Sequence, residues 1–276
     1  MASAFSMRLG MIVADRGPLC VGIDPSSSLV RSWGFDDDAA GAERFGRQAI
    51  DALWEQVGVV KFQVAFFERH GAAGYVALEH LIAHARDAGL IVIGDAKRGD
   101  IASTNEGYAE AWLLDGSPLG VDALTVSCYL GAAALGALFE VAHRNGRGVF
   151  AVVASSNDEG RGVQTATTED GRSVEEVLLA ELGSHNRRLD VGGAPARCVG
   201  AVIGAQRRPA GLSSFEGPVL IPGAGAQGGD ASDVAELRGM LPHDRVAVNV
   251  SRTILSQGPS ATGLKDAATA FTESLG

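Results

Sequence analysis

The sequence predicts an α/β chain closed into a single (β/α)8 TIM barrel over residues 1–276. Three observations carry that expectation. Eight short, β-branched, nearly continuous apolar runs recur along the chain, the pattern of parallel strands buried on both faces. Stripes of helical period lie between most of them. The length of 276 residues suits one barrel, which needs roughly 250. An open doubly wound sheet of the same elements is the alternative, and a count of eight units favours closure.

The strand runs fall at 19–23, 59–64, 90–93, 123–126, 149–154, 199–203, 219–221 and 246–250. Phe45, Ala49, Leu53 and Val57 follow the first at i, i+4, i+8 and i+12. Leu78, Leu81, Ile82 and Ala85 make an i, i+3, i+4, i+7 stripe, and Leu135, Leu138, Phe139 and Ala142 repeat it. Val174, Val177, Leu178 and Glu181 do so with a polar last position, and Val234, Leu237 and Leu241 mark a later helix. The polar segment 155–172 has no period. It reads as a mobile loop at the mouth of a site or as a plain surface excursion. No Gly/Ser linker splits the chain.

A formal charge of −10 argues against bulk nucleic-acid binding, which favours a basic footprint. A local basic pocket still admits a small anion. Cys20, Cys128 and Cys198 are odd in number and lack CxxC spacing. That argues against a disulfide framework or structural zinc and fits a reducing, cytoplasmic setting. Residues 1–10 hold one Arg and no apolar core, so no signal peptide is expected. The longest uncharged stretch, 123–139, is too short and too polar for a membrane span.

In a barrel of this kind chemistry sits where strands run into loops. The first strand ends in Asp24, the second carries Lys61 and Gln63, and the third leads into Asp95-Ala-Lys97-Arg-Gly-Asp100. Ser127 ends the fourth, Ser155, Ser156 and Asn157 the fifth, and Asn249, Ser251 and Arg252 the eighth. Strand periodicity puts residues 95 and 97 on one face, within reach of Lys61. The charges of Lys61, Asp95, Lys97 and Asp100 cancel. Lys97, flanked by carboxylates, should keep its proton. It is then a poor Schiff-base nucleophile and a good positioned proton donor to a carbanion. A structural ion-pair cluster at the rim is the other reading.

After the seventh strand, Gly223, Gly225 and Gly228 formally spell GxGxxG. The match to a dinucleotide fingerprint is weak, because it lies late and lacks the acidic residue at the next strand end. Such a loop still suits phosphate, with Gln227, Gly228 and Arg252 as candidate contacts. A tight turn needed only for packing is the alternative.

The segment Val92-Ile-Gly-Asp95-Ala-Lys97-Arg-Gly-Asp100-Ile101-Ala-Ser-Thr104 resembles the DxKxxD-I-x-x-T signature of the orotidine 5'-monophosphate decarboxylases. Gly22-Ile-Asp24, Val60-Lys61-Phe62, the glycine loop 222–229 and Asn249-Val-Ser-Arg252 accompany it in order. The run from Phe62 to Glu68 is similar to the longer bacterial subgroup.

The resemblance implies decarboxylation of orotidine 5'-monophosphate to uridine 5'-monophosphate without metal, flavin or pyridoxal. It implies that Asp24 and Lys61 meet the ribose hydroxyls, that Asp95 faces the substrate carboxylate, and that Lys97 protonates C6. It implies that Gln227 and Arg252 hold the 5'-phosphate. It also implies a homodimer in which Asp100 and Thr104 enter the partner's site. After the fourth strand the subgroup's Asn-Pro-Tyr type sequence is replaced by Ser127-Cys128-Tyr129, leaving Ser127 as candidate reader of the pyrimidine edge. Magnesium-dependent sugar-phosphate decarboxylases and synthases of similar pattern carry an acid where Lys61 stands. A non-catalytic nucleotide-binding barrel would be expected to lack Lys97 or Asp95.

Other residues are expected to be structural. His80 and His84 fall off the apolar stripe. Asp36-Asp37-Asp38 suits a solvated helix entrance. Arg207 and Arg208 read as surface, and Cys128 as packing.

Overall fold

A computed structural model describes residues 4–190, 197–223 and 230–275. Eight parallel strands close in sequence order into a barrel. They are β1 (Leu19–Ile23), β2 (Val59–Gln63), β3 (Ile91–Arg98), β4 (Ala123–Ser127), β5 (Gly148–Ala154), β6 (Val199–Ile203), β7 (Val219–Ile221) and β8 (Val246–Val250). The β1–β8 pairing, Leu19 against Val248 through Val21 against Val250, completes the closure. All eight expected runs are strands. The third extends further than expected, so Asp95 and Lys97 lie within β3.

The longer helices are α1 (Phe5–Arg16), α2 (Ala39–Leu53), α3 (Gly71–Asp87), α4 (Ala102–Leu113), α5 (Gly136–Arg144), α6 (Val174–Leu189), α7 (Ala231–Gly239) and α8 (Ala261–Ser274). The side chain of Asp38 caps α2, accepting from Gly41 N at 2.7 Å. Asp37 pairs with Arg69. Asp38 is thus the solvated acid at a helix entrance, which needs an acceptor, whereas Asp37 departs from that expectation through its ion pair with Arg69. Phe45, Ala49 and Leu53 bury the expected stripe, and Val57 is buried just past the helix end. Leu78, Leu81, Ile82 and Ala85 on α3, and Leu138, Phe139 and Ala142 on α5, bury as expected.

The stripe on α6 is corrected. Its buried face is Glu175, Leu179, Leu182 and Asn186, one position off the expected set. Glu175 is inside because it pairs with Arg207, 2.5 Å away, and Arg207 is therefore buried as well. A buried ion pair is invisible to a search for apolar period. Segment 155–172 is a folded excursion. It contains a short helix at Arg161–Gln164, and Gln164 donates to Ser155 Oγ at 2.8 Å.

Period two along the strands sorts the barrel interior into layers. Cys20, Val59, Ile91, Ile93, Ala123, Phe150, Val202, Leu220 and Ala247 form the apolar layer, joined by Phe5 and Leu9 of α1. Helix α1 thus plugs the N-terminal end, with Phe5 edge-on to Phe150 at 5.8 Å. Gly148 makes the room, since a Cβ there would stand 2.3 Å from the Phe5 ring. Asp122 ties the plug down. It accepts from Arg8 at 2.6 Å, Arg147 at 2.9 Å and Val92 N at 2.9 Å. Closed from below, the barrel leaves only its C-terminal end for chemistry, and the next inward layer there is polar.

Candidate active site

One carboxylate organises that layer. Asp95 Oδ2 accepts from Lys61 Nζ at 3.0 Å and from Gln63 Nε2 at 2.9 Å. Asp95 Oδ1 accepts from Lys97 Nζ at 2.7 Å and from Thr125 Oγ1 at 2.8 Å. The neighbouring strands supply these groups in register: Gln63 of β2 stands beside Asp95 of β3. Lys61 is 3% exposed and Asp95 8%, whereas half the Lys97 side chain faces the open mouth. Asp24, beyond β1, stands 4.0 Å from Lys61 Nζ.

The electrostatics follow from this packing. Burial disfavours the charged Asp95 carboxylate. Lys61 and Lys97, with hydrogen bonds from Lys97 and Thr125, overcome it and hold the carboxyl well below its usual range. Burial likewise opposes the Lys61 ammonium, and the Asp95 and Asp24 charges win, pushing its pKa up. Both groups are therefore fixed charges at neutral pH. Cys20 beneath them is a buried thiol raised to about 12 by desolvation, as is Cys128. Neither is an activated nucleophile.

Lys97 is held in an unusual backbone. Its φ is +47°, in the left-handed region that non-glycine residues rarely adopt. The β3–β4 pairing passes from Gly94 against Leu124 to Arg98 against Val126, so three residues face Thr125 alone. Regular periodicity therefore ends at Asp95, and this bulge places the ammonium. Lys97 N donates to Thr125 Oγ1 at 3.0 Å, which locks the bulge to β4. Strain of this kind persists where surrounding structure over-determines it, as at catalytic groups.

The remaining expected residues distribute as follows. Ser127 ends β4, exposed at the mouth. Arg252 opens a short helix after β8. Thr104 lies in α4, and among the described residues Asp100, beyond the bulge, forms no ion pair with Lys61 or Lys97. Asp100 Oδ1 accepts from Ile101 N instead. Gln227 and Gly228 lie outside the described residues. Asp24 Oδ1 and Ser251 Oγ are buried polar atoms without a hydrogen-bond partner, at the ends of adjacent strands. Such atoms suit ligand hydroxyls. Ser156, Asn157, Arg161, Gln206 and Pro222 line a small cavity at the same end.

Two positioning residues escaped the sequence reading. In the sequence Gln63 reads only as a polar strand residue, and Thr125 carries no mark of its own. Both sit at inward positions, two residues from Lys61 and Ser127, and that spacing was the available signal. Among the described residues no group of three His, Cys, Asp or Glu is placed to hold a metal. His80 and His84 instead meet Glu43 and Asp51 on the helix surface.

Residues 17–267 match the model of the orotidine 5'-phosphate decarboxylase / HUMPS family. A relative from Salinispora tropica described as orotidine 5'-phosphate decarboxylase is 46% identical, covering 96% of this chain and 94% of its own. One from Streptomyces coelicolor with the same description is 45% identical, covering 97% and 95%. A crystal structure from Streptomyces avermitilis, provisionally described as the same enzyme, has a TM-score of 0.88 at 46% identity, covering 99% of this chain and 95% of that one. The chain belongs to the orotidine 5'-phosphate decarboxylase / HUMPS family.

Proposed function

We propose that this chain, acting as one domain over residues 1–276, decarboxylates orotidine 5'-monophosphate to uridine 5'-monophosphate, the last step of pyrimidine nucleotide synthesis. The observation that carries the reading is the Lys61–Asp95–Lys97 array: a permanently charged, fully hydrogen-bonded carboxylate with one ammonium presented to the mouth. A substrate carboxylate placed beside Asp95 meets like charge. When the C6–carboxylate bond breaks, its electron pair stays on C6 and carbon dioxide leaves. The Lys97 ammonium meets that developing charge and passes its Nζ proton to C6. Solvent then reprotonates the amine.

Asp24, with its unsatisfied Oδ1, and Lys61 receive the ribose hydroxyls. Arg252, Gln227 and Gly228 hold the 5'-phosphate, whose binding far from C6 supplies energy to the transition state. Ser127 reads the pyrimidine edge. No step needs a metal or organic cofactor. The Lys61 ammonium, 3.0 Å from Asp95, stands where a magnesium-dependent relative needs an anionic ligand.

The site is completed by a second copy of the chain. Ile101, beside Asp100 after β3, and Tyr129 and Leu130, after β4, are 59%, 85% and 55% exposed, apolar surface suited to a partner. Asp100 and Thr104 then enter the partner's mouth. Three unpaired buried thiols suit a reducing cytoplasm, and no described helix is long and apolar enough to cross a membrane. The test is the fall in ultraviolet absorbance of orotidine 5'-monophosphate on adding purified protein, with chromatographic identification of the product. Uridine 5'-monophosphate is expected. An unchanged spectrum with folded protein refutes the reading.

A further inference from the structure

The strained Lys97 bulge is braced from outside the barrel as well as from inside. Arg98, the next residue, points away from the site and reaches three elements at once. Its Nη2 donates to Glu68 Oε1 at 2.5 Å and to Tyr75 OH at 3.3 Å, and its Nη1 donates to Ala96 O at 3.1 Å. Tyr75 OH in turn donates to Glu68 Oε1 at 2.7 Å. The guanidinium stands 5.9 Å from the Tyr108 ring centroid. Glu68 ends the short helix after β2, Tyr75 belongs to α3 and Tyr108 to α4. None of these side chains faces the mouth, and the chemistry above uses none of them.

We propose that Arg98, anchored by Glu68 and Tyr75, is a positioning residue that holds Lys97 in its left-handed conformation and so aims the ammonium at the reacting carbon. The geometry supports this in two ways. Arg98 is the first residue back in register with β4, so it closes the bulge. It also clamps Ala96 O, and Thr125 grips Lys97 N, so the peptide unit that enters Lys97 is held at both its carbonyl and its N–H, while the anchored Arg98 fixes the residue that follows. The planar fork matters, because it meets Glu68 with Nη2 and Ala96 O with Nη1 in a fixed geometry that a single ammonium nitrogen does not reproduce. Burial works against the charges of Glu68 and Arg98, yet their mutual pairing still moves the acid's pKa down and the guanidinium's up. The pair is therefore charged throughout the working range.

This inference rests on Lys97 as the proton donor, and the test separates the two claims. The chain has three lysines, at 61, 97 and 265. Labelling with [ε-13C]lysine therefore gives three signals, assigned with Lys97→Arg and Lys265→Arg. Steady-state kinetics and these spectra are recorded for wild type, Arg98→Met, Arg98→Lys and Glu68→Gln. The expected result for Arg98→Met is a fall in kcat of about 10- to 100-fold, the scale of an ångström-level misplacement, with KM within about twofold. Arg98→Lys and Glu68→Gln fall between it and wild type. The Lys97 signal shifts in the same order, while those of Lys61 and Lys265 stay in place.

A kcat within twofold of wild type in Arg98→Met overturns the proposal. So does a lower kcat with the Lys97 signal unmoved, or with all three signals displaced, which would mark a general loss of structure. Should the wild-type chain leave orotidine 5'-monophosphate unchanged, the functional reading fails, and the Lys97 signal alone still decides whether Arg98 positions that side chain.

Discussion

Replacing Lys61 by methionine removes a single buried charge and keeps most of the volume. Its ammonium stands 3.0 Å from Asp95 and 4.0 Å from Asp24. At an effective dielectric of about 20, the attraction to Asp95 alone is about 5 kcal/mol. Methionine recovers the ammonium's desolvation but leaves buried Asp95 with Lys97 as its remaining cation and with Thr125 and Gln63 as donors, and losses for broken buried pairs run about 3–5 kcal/mol. We expect Lys61→Met to lower stability at pH 7 by that amount.

The pH dependence gives the argument a sign. In wild type the Asp95 carboxyl is depressed below its ordinary value near 3.8. Its stabilisation is present above that value and is lost as pH falls through the lower, folded-state pKa. Without Lys61, Lys97 and Thr125 alone oppose burial, so the carboxyl takes up a proton at higher pH than in wild type and the under-compensated charge is relieved. The gap between variant and wild type should therefore be widest near pH 7 and narrow as pH falls toward about 4. Urea unfolding followed by circular dichroism at several pH values measures it. A loss under about 1 kcal/mol at pH 7, or a gap that widens on acidification, refutes the electrostatic account.

Other outcomes follow from the same geometry. Lys97→Ala should leave a folded protein, because half that side chain is exposed, and should lower kcat by at least about 10²–10⁴-fold, the usual scale of a lost proton donor. Asp122→Ala removes the acceptor shared by Arg8, Arg147 and Val92 N. It should cost about 3–5 kcal/mol in a thermal melt while kcat at low temperature stays near wild type. Arg252→Ala should raise KM by a factor matching about 2–5 kcal/mol, and an unchanged kcat/KM would remove it from the phosphate site. Mixing inactive Lys97→Ala and Asp100→Ala chains should restore about a quarter of wild-type activity through mixed dimers with one intact site. No recovery after subunit exchange would place Asp100 in its own chain's site.

The barrel was legible because its signals are local and redundant. Each strand announced itself by an apolar run, and Leu78, Leu81, Ile82 and Ala85 marked one helix face without ambiguity. Asp95 and Lys97 were legible because charges that close to buried strands need partners. What stayed hidden depends on partners distant in sequence. Glu175 enters the core only because Arg207 meets it. Nothing in the sequence marks Phe5 and Leu9 as core residues, because it is the distant Gly148 that opens the barrel floor to them. The bulge at Lys97 depends on Thr125, 28 residues away, and no strand periodicity reveals a residue that departs from it.

The central claim is that Lys97 delivers a proton to C6 of orotidine 5'-monophosphate without help from a metal. The most direct measurement is the reaction in D2O with excess EDTA, comparing wild type with Lys97→Ala and reading the uridine 5'-monophosphate by proton NMR. The account predicts rapid, chelator-insensitive turnover by wild type, deuterium at C6, and almost no product from the variant. Turnover that stops with EDTA and returns with magnesium, or a Lys97→Ala rate near wild type, would contradict it.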